Sequence, residues 1–296
     1  MLRKIVQYGP ATLTLSLPSG WAKKWGIKKG AELEVEEFGK ELRIKADKIP
    51  TTNEKKELAL GNLNRAGKSY LTSAYRQGFD EISLSYDDPN FYLVIQKLVA
   101  NDLIGFEVTE RGLNNCIIKD LTGYNKNEFE NSLNRIWFLV LEQAKESLVF
   151  LKENDASQFE KIKASDNSIN KLSNYCIRIL TKNGYPNFKK IHLYFYLCTQ
   201  LEKIADQHKD MCAMLHFGQI KQSDFLLAKV ETMNSYLAES YKLFYKYDAE
   251  KIDKLFEETK KTSTEIFSLK IQQTPSLYYI CREIQELLSL IVEIKF

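Results

Sequence analysis

Six positive side chains, Arg3, Lys4, Lys23, Lys24, Lys28 and Lys29, fall within the first thirty residues, and no Asp or Glu accompanies them. Cations without local acidic partners suit a surface that faces phosphates, because each can displace a counterion from a nucleic acid backbone. The following stretch carries Glu32, Glu34, Glu36 and Glu37. This segregation of sign favours a DNA-facing surface over an ordinary solvated face. The net charge of the whole chain is only +3, so the signal lies in its N-terminal location and not in the total.

A second constellation is acidic. Glu202, Asp206 and Asp210 stand at i, i+4 and i+8, which on a helix makes a single stripe. Like charges at that spacing repel. Either a cation sits among them, for which carboxylate oxygens suit hard or borderline metals, or the stripe is a solvated face relieved by Lys203 and Lys209. Glu202 and Asp206 lie one step round from apolar seam positions and are expected to face outward. His208 falls on that seam and reads as a packed core residue. Gly61 and Gly67-Lys68-Ser69 imitate the end of a phosphate-binding loop, but no strand is expected before them and the spacing is one residue too long. No nucleophile elbow or paired catalytic constellation is visible, so no enzymatic activity is expected.

The elements that must position these groups form three blocks. Residues 1–48 read as β-rich: Leu13, Leu15 and Leu17 alternate with Thr12, Thr14 and Ser16, and Pro18 stops that strand. Ser19 is expected to cap a short helix ending near Trp25, with Gly26 just past its end. Trp21 and Trp25, one turn apart, are expected to cover the strands. Glu34–Glu37 and Leu42–Lys45 flank Gly39 as a hairpin. So small a block buries little surface alone, and dimerisation through it is expected. Residues 49–53 read as a linker.

Residues 54–121 read as a small α+β module. Helical material runs to Gln77, a strand covers Glu81–Tyr86, a helix runs from Pro89 to about Asp102, and a hairpin turns at Arg111-Gly112. Residues 125–296 read as six helices, over 127–153, 158–182, 187–217, 222–247, 249–269 and 275–295, grouped three and three as a duplicated unit. Tyr194, Leu197, Leu201, Ile204, His208, Met211 and Leu215 form a bundle seam at alternating steps of three and four. The aromatic run from Tyr241 to Tyr247 circles its helix, so some rings must be exposed or at an interface. The five cysteines show no CxxC pair and read as reduced core thiols of a cytoplasmic protein. No apolar run spans a membrane.

Two segments resemble known families. Arg3-Lys4, Leu17-Pro18, Trp21-Ala-Lys-Lys-Trp-Gly-Ile27, Lys29-Gly30 and the Glu-Leu-Glu-Val strand resemble the AbrB/MazE/SpoVT swapped-hairpin domain over residues 1 to about 47. Pro10 and Ala11 follow the turn glycine, where DNA-binding members of that family often place Arg. Leu201-Glu-Lys-Ile-Ala-Asp206 and Asp166-Asn-Ser-Ile-Asn-Lys-Leu172 resemble two motifs of the PhoU domain of phosphate-signalling proteins. The corresponding second copy, Cys281-Arg-Glu-Ile-Gln-Glu286, has Arg282 in place of the first acid. The combination is similar to the archaeal phosphate uptake regulators.

The resemblance implies a cytoplasmic, homodimeric or larger regulator of phosphate uptake that contacts DNA through the N-terminal basic residues, Arg3, Lys4, Lys23 and Lys24 among them. It also implies at most one divalent or transition metal centre (iron, manganese or zinc), on Glu202, Asp206 and Asp210 with Asp166 from the preceding helix. The rival expectation is an adaptor that docks on a phosphate transporter, or its regulatory proteins at the membrane surface, without binding DNA. Pro10 favours this rival.

Overall fold

The computed structural model describes residues 1–46, 54–63, 65–122, 128–269 and 274–296; the expected linker at 49–53 lies outside them. The chain divides into two compact units, Met1–Glu54 and Lys55–Phe296.

In the first unit, β1 (Ile5–Tyr8) pairs antiparallel with β2 (Thr12–Leu15), α1 (Ser19–Lys24) follows, and β3 (Glu34–Phe38) pairs antiparallel with β4 (Glu41–Lys45). The hairpins form separate two-stranded sheets. Gly9 and Gly39 turn them at φ of 76° and 60°, where a side chain would be strained. Pro18, not Ser19, is the N-cap of α1, and no side chain caps that end; proline's fixed φ already suits helix entry. At the other end, Ile27 N–H donates to the Ala22 carbonyl (2.8 Å) and Gly26 takes a φ of 63°, a glycine stop of the expected kind.

This unit has almost no interior. None of its described side chains is buried. Ile5, Val6, Tyr8, Leu13, Leu15, Val35 and Leu42 are 50 % or more exposed. Trp21 and Trp25, expected as a lid, are only half-buried. A two-stranded hairpin is marginal in water without further packing.

The second unit begins with β5 (Lys55–Gly61), α2 (Arg65–Arg76), β6 (Glu81–Tyr86), α3 (Phe91–Asp102), β7 (Phe106–Arg111) and β8 (Asn115–Asp120). Residues 55–61, expected within a helical stretch, are a strand. They pair parallel with β6, with α2 as the crossover, in a sheet of order β5-β6-β8-β7. Leu60, Ile82, Leu84, Tyr86 and Ile118 line the covered side with Leu71, Tyr75 and Ile95 of the helices. Gly67 lies inside α2, where a Cβ would come 2.8 Å from Phe91 Cζ. Its role is helix-on-helix packing, even though a strand does precede it.

Six helices complete the unit: α4 (Glu128–Glu153), α5 (Ala156–Asn183), α6 (Ile191–His216), α7 (Asp224–Tyr245), α8 (Ala249–Ser268) and α9 (Thr274–Lys295). Helices α4, α5 and α6 pack on one another, as do α7, α8 and α9; the triplets meet through α4 against α7 and α6 against α9. Corresponding helices meet corresponding helices, as a duplicated three-helix unit requires. All seven seam residues of α6 are buried.

Arg178 of α5 fastens the sheet module to the bundle. It is 3 % exposed. It donates to the Tyr75 and Phe79 carbonyls (2.9 and 2.8 Å) and pairs with Asp80 and Asp120 (both 3.0 Å). Its guanidinium also lies against the Tyr75 and Phe106 rings, and Lys182 pairs with Asp80 as well. The stretches 54–121 and 125–296, distinct by composition, thus belong to one compact unit from Lys55 onward.

Candidate functional sites

The N-terminal basic residues are all exposed. Arg3 and Lys4 precede β1, Lys23 and Lys24 form the last turn of α1, and Lys28 and Lys29 follow in the loop closed by the Ala31 N–H to Lys28 carbonyl bond (3.0 Å). Lysines at a helix C-terminus also favour the helix itself, because the carbonyl end is partially negative. Lys24 lies over the Trp25 ring at 5.0 Å.

The acidic residues sit where α5 and α6 adjoin. Asp166 is 3 % exposed, Glu202 and Asp206 are half-buried, and Asp210 is exposed. Lys209 Nζ donates to Asp166 Oδ2 (2.8 Å) and also to Asp206 Oδ1. Asn170 Nδ2 donates to the same Asp166 oxygen (3.3 Å), whereas Asp166 Oδ1 is buried and has no partner. Burial pushes the Asp166 carboxyl up to about 6, against the pull of Lys209. For Lys209, burial opposes the charge, but the bonds to Asp166 and Asp206 prevail and raise it to about 12. Burial also raises Glu202, Asp206 adds to this, and Arg76 of α2 opposes it. Arg76 itself is anchored through Nε to Asn174 Oδ1 (2.7 Å).

The expected pairing of Asp166 with the α6 stripe is therefore present, but a lysine joins the two helices. Spacing within α6 showed Lys209 only as a neighbour of Asp206; its reach to α5 had no local signal. Lys203 is exposed and lies near the Tyr196 ring, at 5.7 Å. Among the described residues, no group of three or more His, Cys, Asp or Glu is arranged to hold a metal ion. The donors present thus do not fit the implied metal centre.

His208 is buried, with Nδ1 2.8 Å from the Ile204 carbonyl and Nε2 3.1 Å from Asn234 Oδ1; burial pulls its pKa below the ordinary histidine value. It is a core residue, as its seam position suggests. All five cysteines are free and buried. Phe244 of α7 is buried against Trp137, whereas Tyr241 and Tyr245 of the same helix, and Tyr247 just past its end, are exposed; the aromatic run divides between core and surface. No described helix is long and apolar enough to cross a membrane.

No family model matches the chain, and no curated protein matches it. Among solved structures, it is similar to the phosphate transport system regulatory protein PhoU from Streptococcus pneumoniae, with a TM-score of 0.42 and 22% identity. That match covers 57% of this chain and 90% of the other, and the likeness is a distant one.

Proposed function

We propose that the chain is a non-enzymatic regulator of phosphate uptake whose six-helix bundle docks on a phosphate transporter or its regulatory proteins. The observation that carries this reading is the placement of the two PhoU-like segments. Asp166–Leu172 on α5 and Leu201–Asp206 on α6 come together in a duplicated three-helix bundle. Deleting the gene should uncouple phosphate uptake from phosphate supply, read as labelled phosphate uptake in replete and starved cells. Reintroducing a full chain with Lys23, Lys24, Lys28 and Lys29 changed to Ala should restore control. Uptake unaffected by the deletion contradicts the proposal.

A second reading, control of transcription through DNA, is favoured by one observation: the six basic residues before Ala31 are exposed and have no acidic residue among them. In this reading the first unit dimerises over its exposed apolar residues and presents the lysines to phosphates. A folded four-lysine variant that fails to restore control of uptake would favour this reading over docking alone.

A further inference from the structure

Helix α2 carries Arg65, Lys68 and Arg76 and no acidic residue. It buries Gly67, Leu71, Ala74 and Tyr75. Another of its sides forms one wall of a groove of about 490 Å³, to which α5 contributes Thr181 and α6 contributes Phe195. That wall is a stripe of Lys68, Ser69, Thr72, Ser73 and Arg76, with a cation at each end and hydroxyls between them. The cations are about 12 Å apart along the helix axis. No Asp or Glu is among the described residues that line the groove.

The donors of this stripe are largely unused. Arg76 engages Asn174 Oδ1 through Nε (2.7 Å), and its terminal N–H groups bond no other described residue. The Lys68 ammonium and the Ser69 and Thr72 hydroxyls likewise bond none. Ser73 Oγ accepts from Gln77 Nε2 (3.0 Å), which leaves its own hydrogen to donate. Glu202 acts on Arg76, and Lys68 on Asp102, through charge alone; neither acid forms an ion pair with these cations. Arg76 is half-buried, and burial lowers its pKa, with Glu202 opposing. A guanidinium held partly out of water is where an anion gains most.

We propose that this groove binds a linear oligophosphate, either free or as the tail of a nucleotide. A single orthophosphate would meet one cation. Linked phosphoryl groups would meet both and take the hydroxyl donors between them. Phe195, 41 % exposed, offers a ring face for a base where the phosphates belong to a nucleotide. The groove lies within the second unit, so the inference is independent of the N-terminal lysines and of what the bundle docks on.

The test is calorimetric titration of the full-length chain, without divalent metal, with tripolyphosphate, ATP and orthophosphate. Tripolyphosphate should bind at a single site and at least about tenfold tighter than orthophosphate. Lys68→Gln and Arg76→Gln should each weaken it about tenfold, the loss of one charge-assisted contact. Lys23→Ala/Lys24→Ala, in the other unit, should leave it unchanged. ATP binding that exceeds tripolyphosphate binding, with the excess removed by Phe195→Ala, assigns the ligand as a nucleotide; equal affinities assign the free chain. A folded wild type that binds neither overturns the proposal. So does orthophosphate bound as tightly as tripolyphosphate. Binding lost in Lys23→Ala/Lys24→Ala and kept in Lys68→Gln also overturns it, because the anion would then sit on the N-terminal basic surface. Lys68 is exposed, so Lys68→Gln decides the matter if Arg76→Gln, which alters the bond to Asn174, does not fold.

Discussion

The two units of this chain solve the problem of folding in opposite ways. From Lys55 onward, apolar residues fill two cores, and a buried arginine joins them. Before Glu54, the strands carry comparable apolar residues, yet none of the described side chains is buried. The first unit has the composition of a folded domain without the interior of one. The second unit is complete in itself. The contrast teaches that hydrophobic content alone does not identify a self-sufficient domain; enough elements must face each other to cover it.

The largest effect should come from breaking the second unit at its joint. Arg178→Ala takes the buried guanidinium away from Asp80, Asp120 and the Tyr75 and Phe79 carbonyls, leaving Asp80 to Lys182, and should cost about 3 kcal/mol in urea unfolding. A loss no larger than that of an exposed arginine would mean that Arg178 does not hold the sheet module to the bundle. Next, Leu13→Glu/Leu15→Glu in β2 should leave the bundle's thermal transition in place and, if the first unit dimerises over these residues, convert a dimer to a monomer, measured by sedimentation. Equal loss of both would show that the units do not fold separately.

A smaller effect, with a sign, tests His208. Its folded pKa lies below the unfolded value of about 6.5, so the unfolded chain binds the proton more readily. The neutral imidazole's contribution is present above pH 6.5 and is lost as pH falls through the folded value. Between pH 7 and 5 the wild type should therefore lose more stability than His208→Gln. The reverse would indicate a buried imidazolium. The smallest effect belongs to the exposed lysines. Lys23→Ala/Lys24→Ala should change stability by no more than about 0.5 kcal/mol. If the first unit binds DNA, the same change should lower the salt dependence by up to about two units. A stability loss well beyond that would give these lysines a structural role.

Where the sequence was legible, one physical signal was strong and local. The α6 seam from Tyr194 to Leu215 repeats for six turns, and all of it is buried; the helix ends fell near Gly184, Gly218 and Pro275 because those residues act locally. The strand β5 was not legible. Lys55-Lys-Glu-Leu-Ala-Leu60 is made of good helix formers, and only pairing with β6, some twenty-five residues on, overrides that preference. The acidic cluster was half legible. Its carboxylates could be named from spacing and resemblance, but the contact of Lys209 with Asp166 is tertiary, forty-three positions apart, and no periodicity carries it. The basic residues were legible by type, whereas the surface they form depends on what covers β1 to β4.

That dependence can be measured directly. The intact chain should be followed by sedimentation and by hydrogen exchange of residues 5–45, both across a range of micromolar concentrations. The account predicts a dimer whose β1–β4 amides are protected, and protection that falls as dilution produces monomer while α4–α9 stay protected. A monomer at all concentrations with slowly exchanging β1–β4 amides would contradict it, because the first unit would then fold without a partner.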